Sequence, residues 1–282
     1  VTYFHASLNM DGTTEPIIAI IGHPIAGNPT QFALETGFAA AQIDCRVLSV
    51  DLPPDRVSAA IAGMDAMNFR GIWITPSCRA ASSLVAPQAS LPLLDFLQHR
   101  RDAASAPPWT TLSLKQRVWP GLAGDLLDRR SCHCRKLWWI DDRAGLSADD
   151  LHAQRTKLVE QIHAANCDSF SAFEVDQIEI VNTPTGIEVD DDLDNADVII
   201  WARSKNVPTQ WEPSCRSIII DLNENWDPEH LVFWDGIKAV AGDCLRGADV
   251  HAACLSLLTK LLFDRHVDPE VFQDAVDEYL AV

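Results

Sequence analysis

The stretch IIAIIGHPIAGNPTQFALETGFAAAQID, residues 17–44, decides the fold prediction, because both local structure and ligand chemistry can be interpreted in it. It opens with a β-branched apolar run, Ile17–Ile21, that stops at Gly22 and Pro24, a pattern that predicts a buried strand followed by a turn. Polar residues gather in this turn, and apolar residues then recur at the spacing of an amphipathic helix. The stretch is therefore predicted to fold as a strand, a polar loop and a helix.

The polar loop is a candidate ligand site. It contains Asn28, Thr30 and Gln31, directly beyond the end of the predicted strand. Small ligands of open α/β sheets bind beyond the carboxyl ends of the strands, which favours a binding role for these side chains. Asn28 or Thr30 could instead only cap the free amides at the helix start. The local pattern leaves both interpretations open.

The rest of the chain repeats this alternation of strands and helices. Short apolar runs predict strands, and longer amphipathic stretches predict helices. Further strands are predicted at Cys45–Val50, Gly71–Thr75, Lys136–Ile140 and Ser217–Asp221, and helices at Pro53–Met64 and Ser83–Arg101. This order is typical of an α/β fold, and 282 residues are enough for about two such domains.

Composition excludes several classes of partner. The chain carries 22 Lys and Arg against 40 Asp and Glu, a formal charge of -18, which opposes binding to nucleic acid or to an anionic membrane surface. No apolar run approaches the roughly 20 residues that cross a bilayer, and the start, VTYFHASLNMDGTTEP, lacks the pattern of a signal peptide. We therefore expect a cytoplasmic protein that contacts neither nucleic acid nor membrane.

The eight cysteines are scattered without the spacing of a disulfide framework, so reduced thiols are expected. One local cluster, Cys132-His133-Cys134, has no second pair of ligands nearby. We therefore expect no metal.

Residues 22–44 resemble the amino-terminal motif of shikimate dehydrogenases, in which a G-x-P-[IV]-x-H-S-x-S-P loop precedes a helix that ends in a G-[IL]-D-like turn. The match runs without a gap from Gly22 to Asp44. The two family serines that hold the substrate carboxylate fall on Asn28 and Thr30. The resemblance thus implies that these two residues bind substrate.

A second segment, GIWITPSCR at residues 71–79, resembles the family pattern G-x-N-[VI]-T-x-P-x-K. Thr75 matches the family threonine, and Arg79 falls on the lysine that transfers a proton to or from the reacting oxygen, while Trp73 replaces the asparagine. A guanidinium stays protonated, so Arg79 is expected to bind and polarise an oxygen without shuttling a proton. An ordinary loop arginine is the alternative.

The resemblance also assigns residues further along the chain. Thr110 falls on a substrate-binding asparagine of an A-V-N-T-[LI] segment, and Asp125 is the carboxylate nearest to the aspartate that partners the family lysine in catalysis. Asp125 could equally be an ordinary residue at a helix start. Glu224 replaces the tyrosine of D-x-x-Y-x-P, and Asp249 falls on a substrate-binding glutamine.

The family uses NADP, and the resemblance implies a site for it after the strand Lys136–Ile140. A dinucleotide site of this kind needs glycines that let backbone amides approach a pyrophosphate. This loop has two aspartates instead, whose charge would repel phosphates, so NADP is expected to bind weakly or not at all. The residues in the cofactor positions are Asp141, Asp142, Arg143, Trp201 and Arg203.

The resemblance implies a complete architecture. An N-terminal three-layer α/β substrate domain comprises residues 1–118 plus about 246–282, a Rossmann-like domain comprises residues 119–245, and the ligand cleft lies between them. The expected partners are a small-molecule carboxylate and a second copy in a homodimer. Three functions remain open: an NADP-dependent shikimate dehydrogenase, an oxidoreductase or other enzyme with an altered substrate, and a non-catalytic protein that binds a small molecule or partner.

Overall fold

The chain forms two five-stranded sheets surrounded by helices, as seen in a computed structural model. The α/β fold predicted from the sequence is therefore confirmed. The structure describes residues 15–82, 94–100, 108–141, 155–156, 158–160, 162, 175–182, 196–203, 216–241 and 243–281.

The first sheet has the strand order β2-β1-β3-β4-β5. The pairs β1–β2 and β1–β3 are parallel, whereas β3–β4 and β4–β5 are antiparallel. The carboxyl ends of β1 and β3 therefore lie side by side, which places the polar loop beside the segment that contains Thr75 and Arg79. The strands are β1 Ile17–Gly22, β2 Arg46–Asp51, β3 Gly71–Ile74, β4 Phe96–His99 and β5 Trp109–Leu112.

The fourth strand corrects the sequence analysis, which predicted one helix over Ser83–Arg101. Residues Phe96–His99 are extended and pair with β3 on one side and β5 on the other. Phe96 and Leu97 are completely buried in this central position. Two neighbouring strands and burial on both faces outweigh the helical preference of leucine and glutamine, because strand formation depends on tertiary context.

The second sheet is parallel throughout and has the order β10-β9-β8-β6-β7. From β6 the chain first adds β7 on one side and then β8, β9 and β10 on the other, the doubly wound arrangement of Rossmann-like sheets. The topological switch point lies between β6 and β8, where Asp141 is in register with Arg203. The strands are β6 Cys134–Asp141, β7 Val175–Asn182, β8 Val198–Arg203, β9 Ile218–Asp221 and β10 Asp243–Leu245.

The helices connect and cover the two sheets. A continuous helix, α4, links them, and Trp119 on this helix packs against Trp139 of β6 with ring centroids 5.9 Å apart. The predicted domain boundary between residues 118 and 119 thus falls inside a helix. The described helices are α1 Thr30–Ala40, α2 Val57–Ala66, α3 Arg79–Ser82, α4 Leu114–Arg130, α5 Pro228–Ala241, α6 Gly247–Phe263 and α7 Pro269–Leu280.

The last helix returns to the first sheet. Phe272 of α7 is completely buried, and its ring lies so close to Gly37 of α1 that a Cβ atom there would be 2.1 Å from it. Phe32 and Tyr279 add a second ring contact between these helices, at 6.1 Å. Within the described ranges, no helix has the length and apolar character needed to span a membrane.

Candidate functional site

Four charged side chains meet where the two sheets face each other. They are Arg79, Asp95, Lys115 and Glu224, which we call the charge cluster. Asp95 is completely buried, the side chains of Lys115 and Glu224 are each only 1% exposed, and that of Arg79 is 17% exposed. Charged residues are almost never buried to this extent unless they are paired, so the cluster must compensate its own charges.

Each member reaches the cluster from the end of a strand or the start of a helix. Arg79 follows β3 after a short turn, and Asp95 immediately precedes β4. Lys115 is the second residue of α4, and its backbone amide donates to Asp95 Oδ2 at 2.9 Å, so Asp95 caps this helix. Glu224 comes from the loop after β9 of the second sheet. The cluster therefore ties the two sheets together.

The cations and carboxylates of the cluster contact one another directly. Arg79 Nη2 lies 3.3 Å from both Asp95 Oδ1 and Glu224 Oε2, and its Nε donates to the Leu94 carbonyl at 2.9 Å. Lys115 Nζ lies 3.3 Å from Glu224 Oε2 and 3.8 Å from Asp95 Oδ1. Two positive and two negative formal charges cancel, which leaves the cluster neutral.

The two carboxyl groups respond differently to this environment. Burial raises the pKa of Asp95, although Lys115 and Arg79 oppose the change. Burial also acts to raise the pKa of Glu224, but the pKa is lowered because Lys115 and other positive neighbours, together with the hydrogen bond from Trp73, outweigh it. Glu224 is thus the carboxylate that the cluster holds firmly in its charged form.

Aromatic rings and a buried histidine line one side of the cluster. The Trp73 indole donates to Glu224 Oε1 at 3.1 Å. The His251 ring packs edge-on against Trp73 and Trp226, with centroids 5.0 and 5.2 Å away. Its Nε2 lies 3.2 Å from Thr30 Oγ1. Burial, the largest influence, lowers the pKa of His251 from 6.5 to about 4, so the ring is neutral at pH 7.

Two ring nitrogens beside the charge cluster lack a hydrogen-bond partner among the described residues. Within the described part of the chain, neither Nδ1 of His251 nor Nε1 of Trp226 has a hydrogen-bond partner, although both atoms are buried. A buried polar atom without a partner carries a desolvation cost, which a hydrogen bond from a water or ligand atom would remove.

Comparison with known proteins identifies the fold. No protein-family model matches the sequence. A shikimate dehydrogenase (NADP(+)) from Rubrobacter xylanophilus is 30% identical over 66 residues, a match that spans 23% of this chain and 23% of that protein's length.

Solved structures match over nearly the whole chain. The ligand-free 5-ketofructose reductase of Gluconobacter sp. strain CHM43 superposes with a TM-score of 0.61 at 14% identity, covering 95% of this chain and 99% of that one. The shikimate 5-dehydrogenase of Thermus thermophilus in complex with shikimate gives a TM-score of 0.59 at 12% identity, covering 95% and 100%. The chain is shikimate dehydrogenase-like in fold. The two-domain arrangement that its sequence predicted is confirmed.

Three of the predicted site residues of this shikimate dehydrogenase-like chain come together. Arg79 and Glu224 belong to the charge cluster, and Thr30 reaches it through His251. Asn28 has a different contact, because its Oδ1 accepts from the Thr30 amide at 2.9 Å. It therefore satisfies the first free amide of α1, which was the alternative interpretation of the polar loop.

Thr75 lies next to the polar loop, but its side chain forms a hydrogen bond with a residue only two positions away. Its side chain is 5% exposed and its Oγ1 is 3.1 Å from Ser77 Oγ. A Cβ atom on Gly22 would lie 2.5 Å from Thr75 Oγ1, so only glycine fits where β1 ends beside β3.

Two other predicted site residues lie away from the cluster. Asp125 is exposed in the interior of α4, so it is neither a residue at the helix start nor a member of the buried cluster around Arg79. Thr110 sits on β5 at the sheet edge, where its hydroxyl accepts a hydrogen bond from Arg100. Neither contacts Arg79, whereas Asp95, which immediately precedes β4, does.

Asp249 has a structural role in the first turn of α6. Its Oδ2 accepts from the backbone amide of Arg246 at 2.7 Å, and its carboxylate pairs with the same arginine's side chain and with Lys238. Asp249 thus satisfies a backbone amide at the start of α6. The helix nevertheless contributes to the cluster, through His251 two residues later.

Three of the five residues in the predicted NADP positions lie on described strands of the second sheet, Asp141 on β6 and Trp201 and Arg203 on β8. Trp201 is completely buried and packs on Trp234 with centroids 5.9 Å apart, so it belongs to the core. Asp141 ends β6 at the switch point, between Asn182 of β7 and Arg203 of β8, a place where family glycines would admit a phosphate. Asp142 and Arg143 lie outside the described residues. A carboxylate residue at this strand end does not fit a pyrophosphate.

Asp95, Lys115, Trp226 and His251 are the site residues that sequence reasoning missed. Asp95 gave a signal, since it is the single charge within an apolar run, Leu93-Leu94-Asp95-Phe96-Leu97. Across the described ranges, no three His, Cys, Asp or Glu side chains are grouped as a metal site would require.

Proposed function

We propose that this chain is a non-catalytic, small-molecule-binding protein built on the shikimate dehydrogenase fold. The observation that carries the proposal is the state of Arg79. In the family pattern its position holds the lysine that transfers a proton, but here the side chain is an arginine that already contacts the Leu94 carbonyl, Asp95 and Glu224. Its guanidinium cannot give up a proton, and its charge is compensated by internal carboxylates.

The carboxyl end of β6, where a nucleotide would bind, supports the same proposal. Asp141 stands where a phosphate would approach the second sheet, in a segment whose sequence, DDRAG, has one glycine. This edge therefore offers no support for hydride transfer. Binding is the role retained, because the two sheets still converge on buried polar groups that lack partners. A homodimer and a cytoplasmic location, both predicted from the sequence, are part of the proposal.

The fold itself does not fix the ligand. The names of two similar structures refer to 5-ketofructose, an uncharged sugar, and to shikimate, a carboxylate. The ligand of this chain therefore has to be argued from its own side chains.

One observation favours a second candidate, an NAD(P)-dependent oxidoreductase with a rearranged site. Lys115 lies 3.8 Å from Asp95 and 3.3 Å from Glu224, so a lysine and its carboxylate partners are present, on different elements from those of the family pattern. A lysine can transfer a proton where an arginine cannot. Lys115 would then take the role that Arg79 has lost.

The two candidates are separated by turnover assays on three proteins. Parent, Arg79→Lys and Lys115→Arg are assayed with shikimate and quinate, each with NADP and with NAD. We expect no turnover from any of them. Rates on the order of 1 per second or more from the parent would overturn the proposal. If that activity disappears in Lys115→Arg and survives in Arg79→Lys, the second candidate is correct.

A further inference from the structure

The neutrality of the charge cluster restricts the class of ligand. An anion that binds beside Arg79 also approaches Asp95 and Glu224, whose oxygens lie 3.3 Å from the guanidinium. Attraction to the cations is offset by repulsion from carboxylates that are buried and poorly screened. The anion would in addition lose its hydration, so it gains nothing from this site.

The unpartnered nitrogens specify what the site does accept. Nε1 of Trp226 is a donor only and needs an acceptor oxygen. Nδ1 of neutral His251 is a donor or an acceptor depending on the tautomer, which the contact between Nε2 and Thr30 Oγ1 leaves open, since a hydroxyl serves both. A ligand hydroxyl satisfies either nitrogen in either tautomer, whereas a carboxylate only accepts.

Two side chains in and beside the charge cluster are accessible to solvent. Arg79 keeps 17% of its side chain exposed, and Trp226 is half-buried, whereas Asp95, Lys115 and His251 are fully enclosed. The Trp226 ring therefore supplies an aromatic surface at the open edge, while its unpartnered nitrogen is buried from solvent, as is Trp73. Aromatic faces beside polar atoms suit the C–H faces and hydroxyls of a carbohydrate-like ring.

We propose that this site takes an uncharged, polyhydroxylated small molecule and excludes the corresponding carboxylates. This inference rests on the proposed binding function and replaces the carboxylate ligand that the sequence predicted. The specificity is set by Asp95 and Glu224, which neutralise Arg79 and Lys115.

The test uses two probes that differ only in charge, shikimate and its methyl ester, titrated into the purified chain by calorimetry at millimolar concentrations. We expect the ester to bind at least about tenfold more tightly than the acid. Equal or tighter binding of shikimate overturns the inference, and so does failure of the ester to bind at all. Turnover is measured separately, so hydride transfer would overturn the proposed function without touching the ligand class.

Two variants test the cause. Glu224→Gln and Asp95→Asn each leave the cluster with one excess positive charge, and each should gain shikimate binding while ester binding changes less. Circular dichroism shows which variants are folded, and one folded variant is sufficient for the test. A folded variant that still rejects shikimate would show that charge balance does not set the specificity.

Discussion

Lys115 Nζ lies 3.3 Å from Glu224 Oε2, although the two residues are 109 positions apart in the chain and flank different sheets. The contact ties the start of the connecting helix α4 to the loop after β9. A lysine side chain that is 1% exposed is stable only where carboxylates surround it, so this pair couples the arrangement of the two sheets to the chemistry of the site.

Replacing Gly37 with alanine tests the packing of α7 on α1. The new Cβ atom would lie 2.1 Å from the Phe272 ring, and we expect a loss of about 1–3 kcal/mol in the free energy of unfolding from overpacking. Gly63→Ala is the matched control, because this helical glycine has nothing within 4 Å and should gain up to about 1 kcal/mol. Urea denaturation measures both. Equal effects would show that the α1–α7 contact is not tight.

Acid stability should depend on His251. The pKa of the buried ring is lowered from 6.5 to about 4, so between these values the unfolded chain binds a proton that the folded chain excludes. Stability is therefore complete above pH 6.5 and is lost as the pH falls towards 4, by about 3 kcal/mol from this residue. His251→Phe, which keeps an aromatic ring without a titrating group, should flatten the profile over this range.

The control for this experiment is His266→Phe, at an exposed position. Its stability profile between pH 4 and 7 should follow that of the parent. If His251→Phe retains the full slope, another group is responsible for the acid sensitivity.

NADP should bind weakly or not at all. Asp141 ends β6 at the switch point and Asp142 follows it in the sequence, so two carboxylates are expected where a pyrophosphate would lie. Isothermal titration measures the affinity, and a micromolar or tighter value for the parent would contradict the prediction. The double variant Asp141→Asn with Asp142→Asn should bind more tightly than the parent if charge repulsion is the cause.

The α/β fold could be predicted from the sequence because the signals that specify its strands and helices are mostly local. The apolar run that became β1 stops at Gly22, and the helix α1 follows the polar loop, as the spacing of residues 17–44 predicted. The same reasoning failed at β4, where strand pairing with neighbours on both sides determined the structure. The sequence analysis therefore did not connect Asp95, which immediately precedes this strand, with Arg79.

The site could be predicted only in part, since its contacts join distant positions. Arg79 and Glu224 were found because each falls within a motif of the shikimate dehydrogenase resemblance. Asp95 and Lys115 fall outside those motifs, and only the hydrogen bond between them, across 20 positions, shows that they belong to one site. The contacts of Arg79 with Asp95 and Glu224 change its interpretation from a ligand-binding cation to a compensated one.

A double-mutant cycle on Lys115 and Glu224 tests whether the cluster acts as a unit. Lys115→Met keeps the side-chain volume but leaves Asp95 and Glu224 to share Arg79, and we expect it to cost about 3–5 kcal/mol of stability. Glu224→Gln removes the opposite charge and is also expected to destabilise. The double variant leaves Arg79 paired with Asp95 and restores neutrality, so its cost should be smaller than the sum of the single costs by about 0.5–3 kcal/mol. Urea denaturation supplies the four free energies, with Lys260→Met, at an exposed position of α6, as the control that should change stability by no more than about 0.5 kcal/mol. Strictly additive losses would mean that Lys115 and Glu224 stabilise the chain independently, and the neutral cluster on which the ligand specificity depends would then not exist as a unit.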